Sequence, residues 1–230
     1  MNKERFSFYK EHPKNCSPDD FWGQVKRTVN GTPVSQEQID MIVNAVTNGL
    51  ELKSNDVLLD LCCGNGALST LLINSCSGGV GVDFSEYLIS IANTYFANPD
   101  SQIYLFQDAL DFCKSPTTPY KFTKMVCYGS FPYVDFDAAE QMLSLLNTKF
   151  PNLERIFIGN CPDKDLVDTF YGERAYEAAV ISDPDSPIGI WRTQEEFILL
   201  AEHTGWHATI RRMPTQYYAA HYRYDVILTK

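Results

Sequence analysis

From residue 56 onward the chain repeats one unit: a short apolar run, a polar or glycine-bearing turn, then a helix-spaced apolar stripe. Val57-Leu58-Leu59-Asp60-Leu61 lacks the in-out alternation of a half-exposed strand, as expected of a strand covered on both faces. Val80-Gly81-Val82-Asp83, Ile103 to Phe106, Met125 to Tyr128 and Arg155 to Ile158 repeat the pattern. Between them fall the stripes Leu68/Leu71/Leu72, Leu88/Ile91/Ala92/Tyr95 and Ala138/Met142/Leu145/Leu146. Buried strands alternating with helices predict an α/β fold built on a doubly wound, mostly parallel sheet. Trp206 to Arg212 and Tyr222 to Leu228 alternate instead, which predicts a closing antiparallel hairpin and seven strands in all.

The flanks differ. Ser17-Pro18-Asp19-Asp20 and Ser35-Gln36-Glu37-Gln38 read as two helix starts before any strand, the first leading into Phe21, Trp22, Val25 and Val29. Residues 1–50 are therefore expected to form a helical cover, and residues 51–230 the main domain. Residues 162–191 break the alternation and leave the end of the fifth strand, so they are expected to form a lid. Thr193 to Glu196 is a further capping box, with Gly205 as the stop of its helix.

Composition narrows the partners. A chain of 230 residues with 44% hydrophobic content can bury a core without disulfides or structural metal. Its net charge of -10 and pI near 4.8 argue against nucleic acid, because phosphate binding runs on clustered Lys and Arg. The longest basic cluster is Lys26-Arg27. Seven cysteines without paired C-x-x-C spacing read as reduced thiols of a cytoplasmic protein. The polar start has no apolar signal region, and no run approaches the ~18 apolar residues of a membrane span. The expected partner is a small molecule, and nothing in the sequence speaks to oligomeric state.

In an open parallel sheet, ligands bind beyond the carboxyl ends of the strands. Those ends carry Asp60-Leu61-Cys62-Cys63-Gly64-Asn65-Gly66, then Asp83, then Gln107-Asp108-Ala109. The glycines permit close approach of backbone to a ligand, and a carboxylate at position 83 can accept from both hydroxyls of a ribose. An NAD fingerprint fits poorly, since Ser69 stands where the third glycine belongs, and no Gly-Lys-Ser/Thr phosphate loop exists.

These residues resemble the class I S-adenosylmethionine-dependent methyltransferases. Asp60 to Gly66 is similar to that family's D-x-G-x-G-x-G motif, with Cys62 in place of the first glycine. Val82-Asp83-Phe84-Ser85 and Gln107-Asp108-Ala109 resemble the second and third motifs, and the likeness covers roughly residues 50–230. It implies a Rossmann-like sheet and S-adenosylmethionine as cofactor, with no metal. It implies that Gly64 and Gly66 line the amino-acid portion of the cofactor, with Asp60 supporting the loop and Cys62 and Asn65 within it. Asp83 would hold the ribose and Phe84 flank the adenine, while Asp108 and the Ala109 N–H would meet the adenine edge and Tyr128 would border the site.

The reaction implied is methylation of an oxygen or nitrogen on a small molecule; a protein or RNA acceptor, or a non-catalytic cofactor-binding subunit, are the alternatives. Catalytic candidates come from the carboxyl edge: Tyr128, Ser130, Tyr133, Asn160, Asp163, Trp191, Arg192 and His221, of which His221 and Tyr133 are the chosen acid–base groups. His203 and His207 have metal-ligand spacing, but Gly205 between them should end the helix.

Overall fold

The computed structural model describes residues 7–230. The N-terminal part holds α1 (Ser7–Glu11), α2 (Phe21–Gln24), a small hairpin of β1 (Thr28–Val29) and β2 (Thr32–Pro33), and α3 (Gln36–Leu50). The alternation follows: β3 (Val57–Leu61), α4 (Ala67–Ile73), β4 (Gly78–Asp83), α5 (Glu86–Tyr95), β5 (Gln102–Phe106), α6 (Ala109–Lys114), β6 (Lys124–Tyr128), α7 (Phe136–Lys149) and β7 (Arg155–Pro162). After α8 (Val167–Tyr171) and α9 (Gln194–His203), β8 (His207–Arg211) and β9 (Arg223–Thr229) complete the sheet.

The seven strands lie in the order β5-β4-β3-β6-β7-β9-β8. Pairings from β5 to β7 are parallel, and β9 is antiparallel to both its neighbours, as the predicted hairpin requires. The chain moves outward from β3 to β5 and then returns to the other side of β3. The crevice between β3 and β6 is thus the switch point where such sheets receive ligands.

Neighbouring residues of one strand serve opposite layers, as the period of two requires. Leu59, Met125 and Ile156 face a core shared with Phe112, Leu143, Leu146 and Phe197 of α6, α7 and α9. Leu58, Val126 and Phe157 face Ile39, Ile42, Val46, Leu68 and Leu72 of α3 and α4. Each fully buried side chain of this kind contributes roughly 1.5–3 kcal/mol.

The expectation of two helices before any strand fails at the first of them. The α2 helix is a single turn capped by Asp20, whose side chain accepts from Gly23 N, and it stops where Lys26 turns left-handed. Asn30 and Gly31, with φ of 50° and 81°, then close a two-residue hairpin turn, so Val29 is exposed instead of joining a helix stripe. The second helix forms, but the Ser35 side chain makes no cap bond. The capping box of Thr193 and Glu196 is complete on both sides.

Residues 162–191 are tied down more closely than an open flap. Val167 and Trp191 are buried, Ile190 N donates to Pro132 O at 2.7 Å, and the Phe170 ring lies 4.5 Å from that of Tyr222. The stretch from Gly172 to Ala179 is largely exposed, and Ser182, Asp183, Asp185 and Pro187 are exposed after it.

Candidate cofactor and acceptor site

The loop after β3 is held from both ends. Asp60 is buried and accepts from Ser69 Oγ at 2.5 Å, which ties the strand end to α4. Burial pushes its carboxyl up to about 7, against the pull of Ser69 and the Arg27 charge. Gly64 and Gly66 are left-handed, at φ 59° and 79°. A Cβ at Gly64 would lie 2.8 Å from Val25, and one at Gly66 2.9 Å from the Tyr104 ring. Cys62, where the resemblance calls for glycine, is also left-handed at φ 62°, an uncommon conformation for a side-chain-bearing residue. Contact with the Cys127 thiol, together with burial, drives the Cys62 thiol well above its usual range, so it stays protonated and unreactive.

Asn65 performs a task that the sequence did not suggest. Its Nδ2 donates to Phe21 O at 2.7 Å and to Gln24 Oε1 at 2.8 Å, while its Oδ1 accepts from Ala67 N. Gln24 in turn donates to the carbonyls of Ser17 and Pro18, and Phe21 packs edge-on against Tyr95 and Phe96 of α5. The N-terminal segment is thereby fastened over the glycine loop.

At the end of β4, Asp83 is buried and accepts from backbone N–H groups: Gly64 N donates to Oδ2 at 2.9 Å and Ser85 N to Oδ1 at 2.8 Å, with the Phe84 N–H also turned toward the carboxylate. Each oxygen keeps a lone pair, which is what two vicinal hydroxyls need. Burial raises the carboxyl to about 6, and the N–H groups oppose it. Asp108 caps α6 with one oxygen, Oδ1, which accepts from Leu110 N and Asp111 N. Its Oδ2 and the Ala109 N–H have no partner among the described residues. An acceptor beside a donor matches the amino and ring-nitrogen edge of adenine. The half-buried Phe84 borders an open cleft of about 470 Å³, shared with Lys10, Lys14, Tyr87 and Phe106. The residues present therefore fit an adenosine.

Beyond the ends of β6, β7 and β9 the lining becomes aromatic and cationic. Tyr128 is buried, stacks on Phe157 and shares a 2.9 Å hydrogen bond with the Tyr217 hydroxyl. The Arg27 guanidinium lies 5.3 Å from the ring centres of both Tyr128 and Trp22. Tyr133 donates its hydroxyl to Pro187 O at 2.9 Å and packs its ring on Tyr9. His221 is exposed, with its ring 4.7 Å from that of Tyr222. Ser130 is half-buried after β6, and Asp163 is buried and paired with Arg212 and Gln194, away from any proton-transfer role. Arg192 is buried with its guanidinium over the Phe131 and Phe136 rings. His203 ends α9 and His207 opens β8, and no metal-holding group of side chains occurs among the described residues.

Arg27 and the guanidinium of Arg223 escaped sequence reasoning, whereas the aromatic run from Tyr217 to Tyr224 stands out in the sequence as a candidate lining for the site. Arg27 reads there as half of a basic pair, and only the hairpin after α2 brings it above Tyr128. No local pattern marks Arg223 either, since its partner Asn160 lies on another strand.

Three buried carboxyls, Asp60, Asp83 and Asp225, have values raised from 3.8 to about 7, 6 and 6 by desolvation. Between the unfolded and folded values the native state binds more protons. Their contribution to stability is therefore intact below 3.8 and is lost as pH rises through about 6 to 7. Thermal melts of the ligand-free protein should fall across that window, and Asp83→Asn should make the fall shallower. A melting temperature that rises from pH 4 to 7 in both proteins contradicts the burial account.

Residues 58–149 match the family described as a methyltransferase domain. An uncharacterized methyltransferase of Schizosaccharomyces pombe is 33% identical over 75 residues, which is 33% of this chain and 27% of that protein. The match thus spans about a quarter of that relative's length. Among solved structures, the cyclopropane synthase MmaA2 of Mycobacterium tuberculosis has a TM-score of 0.66 at 16% identity, covering 90% of this chain and 77% of that one. Magnesium protoporphyrin IX methyltransferase of Synechocystis, solved with bound S-adenosylmethionine, has a TM-score of 0.57 at 17% identity, covering 85% and 79%. The sheet order, the glycine loop after β3 and the acid ending β4 agree with these likenesses: the chain has the fold of these methyltransferases, and residues 58–149 carry the match to a methyltransferase domain.

Proposed function

We propose that this protein transfers the methyl group of S-adenosylmethionine to an oxygen or nitrogen of a small molecule. The observation that carries the reading is Asp83, a buried carboxylate whose two oxygens each retain acceptor capacity at the switch point of the sheet. When bound, the cofactor supplies an electrophilic methyl on a sulfonium. The residues around it then have distinct tasks. Asp83 holds the ribose hydroxyls, Asp108 Oδ2 and Ala109 N–H read the adenine edge, and Phe84 flanks the ring. Gly64 and Gly66 bring backbone against the amino-acid portion, and Asp60 fixes their loop. Cys62 and Asn65 shape that loop, and Asn65 also fastens the segment above it. Arg27 takes the cofactor carboxylate, since its guanidinium is held by two rings and forms no ion pair among the described residues.

The acceptor enters beside Tyr128, under the N-terminal cover and residues 162–191. Enclosure on two sides suits a small molecule and limits water near the reacting atoms. The protoporphyrin methyltransferase of the same fold also bears a small-molecule name, which supports the reading. Holding nucleophile and methyl in line supplies much of the rate. His221 takes the departing proton and passes it to solvent. Tyr133, whose hydroxyl is committed to Pro187, positions the lid.

Two measurements test this. Calorimetry should show S-adenosylhomocysteine binding, with NAD and ATP binding far more weakly or not at all. Incubation with methyl-tritiated S-adenosylmethionine and a fractionated cell extract should label the small-molecule fraction. Label found only in protein or RNA overturns the small-molecule acceptor; NAD binding more tightly overturns the cofactor.

A further inference from the structure

Buried polar atoms without partners are rare, and each costs about 1–3 kcal/mol. Among the described residues, three of them belong to residues joined in one chain of contacts: Asn160 Oδ1, Arg223 Nε and Trp191 Nε1. Arg223 touches Asn160 directly, and Tyr222 joins it to Trp191. The Trp191 ring lies 5.8 Å from that of Tyr222, the Arg223 guanidinium lies 4.8 Å above Tyr222, and Arg223 Nη1 donates to Asn160 O. These three residues come from the end of the 162–191 segment, the start of β9 and the bulge near the end of β7.

Asn160 is held there on purpose of geometry. It is left-handed at φ 65°, in the irregularity between Ile158 and Cys161. Its N–H donates to Asp225 Oδ1 at 2.7 Å and its carbonyl accepts from Arg223, so both backbone groups are fixed by charged side chains. The carboxamide is left over, and its Nδ2 comes within 3.7 Å of a Cβ built at Gly129, beside the end of β6. Arg223 is half-buried, makes no ion pair within 4.0 Å among the described residues, hydrogen-bonds the Tyr222 side chain and has Tyr133 and Tyr218 near it, while its Nε–H is left without a partner. Asp225 is the acid near it, and one of that acid's oxygens is occupied by Asn160 N.

Two unpaired donors and one unpaired acceptor define a complement. We propose that Trp191, Arg223 and Asn160 recognise the methyl acceptor, and that this acceptor is a small organic carboxylate bearing a hydroxyl or amino group. The indole N–H and the Arg223 Nε–H donate to the carboxylate, whose charge the guanidinium balances. Asn160 Oδ1 accepts the hydrogen of the nucleophile and so orients its lone pair. This rests on the methyltransferase reading and names the substrate class of that same site.

The test uses the full chain saturated with S-adenosylhomocysteine and follows the Trp191 indole N–H in ¹H–¹⁵N spectra, assigned with Trp191→Phe. The probes are 3-hydroxybenzoate, benzoate and the neutral 3-hydroxybenzamide. The two acids should shift the Trp191 signal saturably, the hydroxy acid binding more tightly, with the amide at least about tenfold weaker. Arg223→Met should weaken 3-hydroxybenzoate by at least about tenfold and leave S-adenosylhomocysteine affinity unchanged. Asn160→Gly, which suits a left-handed position, should remove the advantage of 3-hydroxybenzoate over benzoate without lowering the melting temperature. A lower melting temperature with that advantage intact makes Asn160 merely structural and overturns its part. If the nucleoside product binds but neither acid moves the Trp191 signal below about 20 mM, or the amide equals the acid, the proposal is wrong and the methyltransferase reading stands. If S-adenosylhomocysteine itself fails to bind, the broader reading falls with it. The comparison of acid with amide needs no variant, so a misfolded Arg223→Met cannot obscure the result.

Discussion

Asp83→Ala should weaken S-adenosylhomocysteine binding by about 30- to 150-fold, equivalent to ~2–3 kcal/mol for the loss of charge-assisted bonds to two hydroxyls. Stability should change much less. The carboxylate satisfies Gly64 N and Ser85 N, so its removal leaves two donors to find other partners. Against that, burial already holds its carboxyl up at about 6, so the charged form is itself costly near neutral pH. The two effects oppose each other, whereas nothing offsets the loss of ribose contacts. Calorimetry and thermal melts on the same preparation separate them. A variant that melts early and binds normally means that Asp83 serves the loop and not a ligand.

Arg27→Met should discriminate between two ligands. Methionine keeps apolar contact with Trp22 and Tyr128 and removes the charge. Affinity for S-adenosylhomocysteine should fall by about 10- to 100-fold, the worth of a hydrogen bond to a charged group in a sheltered site. Affinity for 5′-methylthioadenosine, the same nucleoside without the amino-acid tail, should stay within about twofold, since it offers Arg27 nothing to hold. Equal losses for both ligands would place the effect in the fold of the N-terminal segment. No loss for either removes Arg27 from the site.

The sheet was legible because its signals are local. A parallel strand buried on both faces must be a short apolar run, and Val57–Leu61 and Lys124–Tyr128 are such runs. The caps at Ser85 and Thr193 act within three residues of themselves, and both form as read. The adenosine half of the site shares that locality, since glycine loop, Asp83 and Asp108 each follow directly on a strand. The N-terminal region was misread because Phe21, Trp22, Val25 and Val29 happen to keep helical spacing. The Asn30-Gly31 pair directly after them is a strong hairpin signal and outweighs four apolar residues. The acceptor half was only half legible. Asn160 and Trp191 could be named as edge residues, but what aims Asn160 is Arg223 and Asp225, from a strand about 65 residues further on. Side chains that meet only through an antiparallel register leave no spacing to find.

The clasp between Asn65 and the backbone of Phe21 has a kinetic meaning. While those hydrogen bonds stand, the segment carrying α2 lies across the glycine loop, and the Val25 side chain occupies the space above Gly64. If the cofactor of the proposed reaction seats along that loop beneath the segment, each exchange of spent for fresh cofactor requires the clasp to open. Exchange is then a first-order event whose rate does not rise with cofactor concentration once the segment's opening becomes limiting. The residence time of the product would then be set by a carboxamide that never touches it, and Asn65→Ala should shorten it.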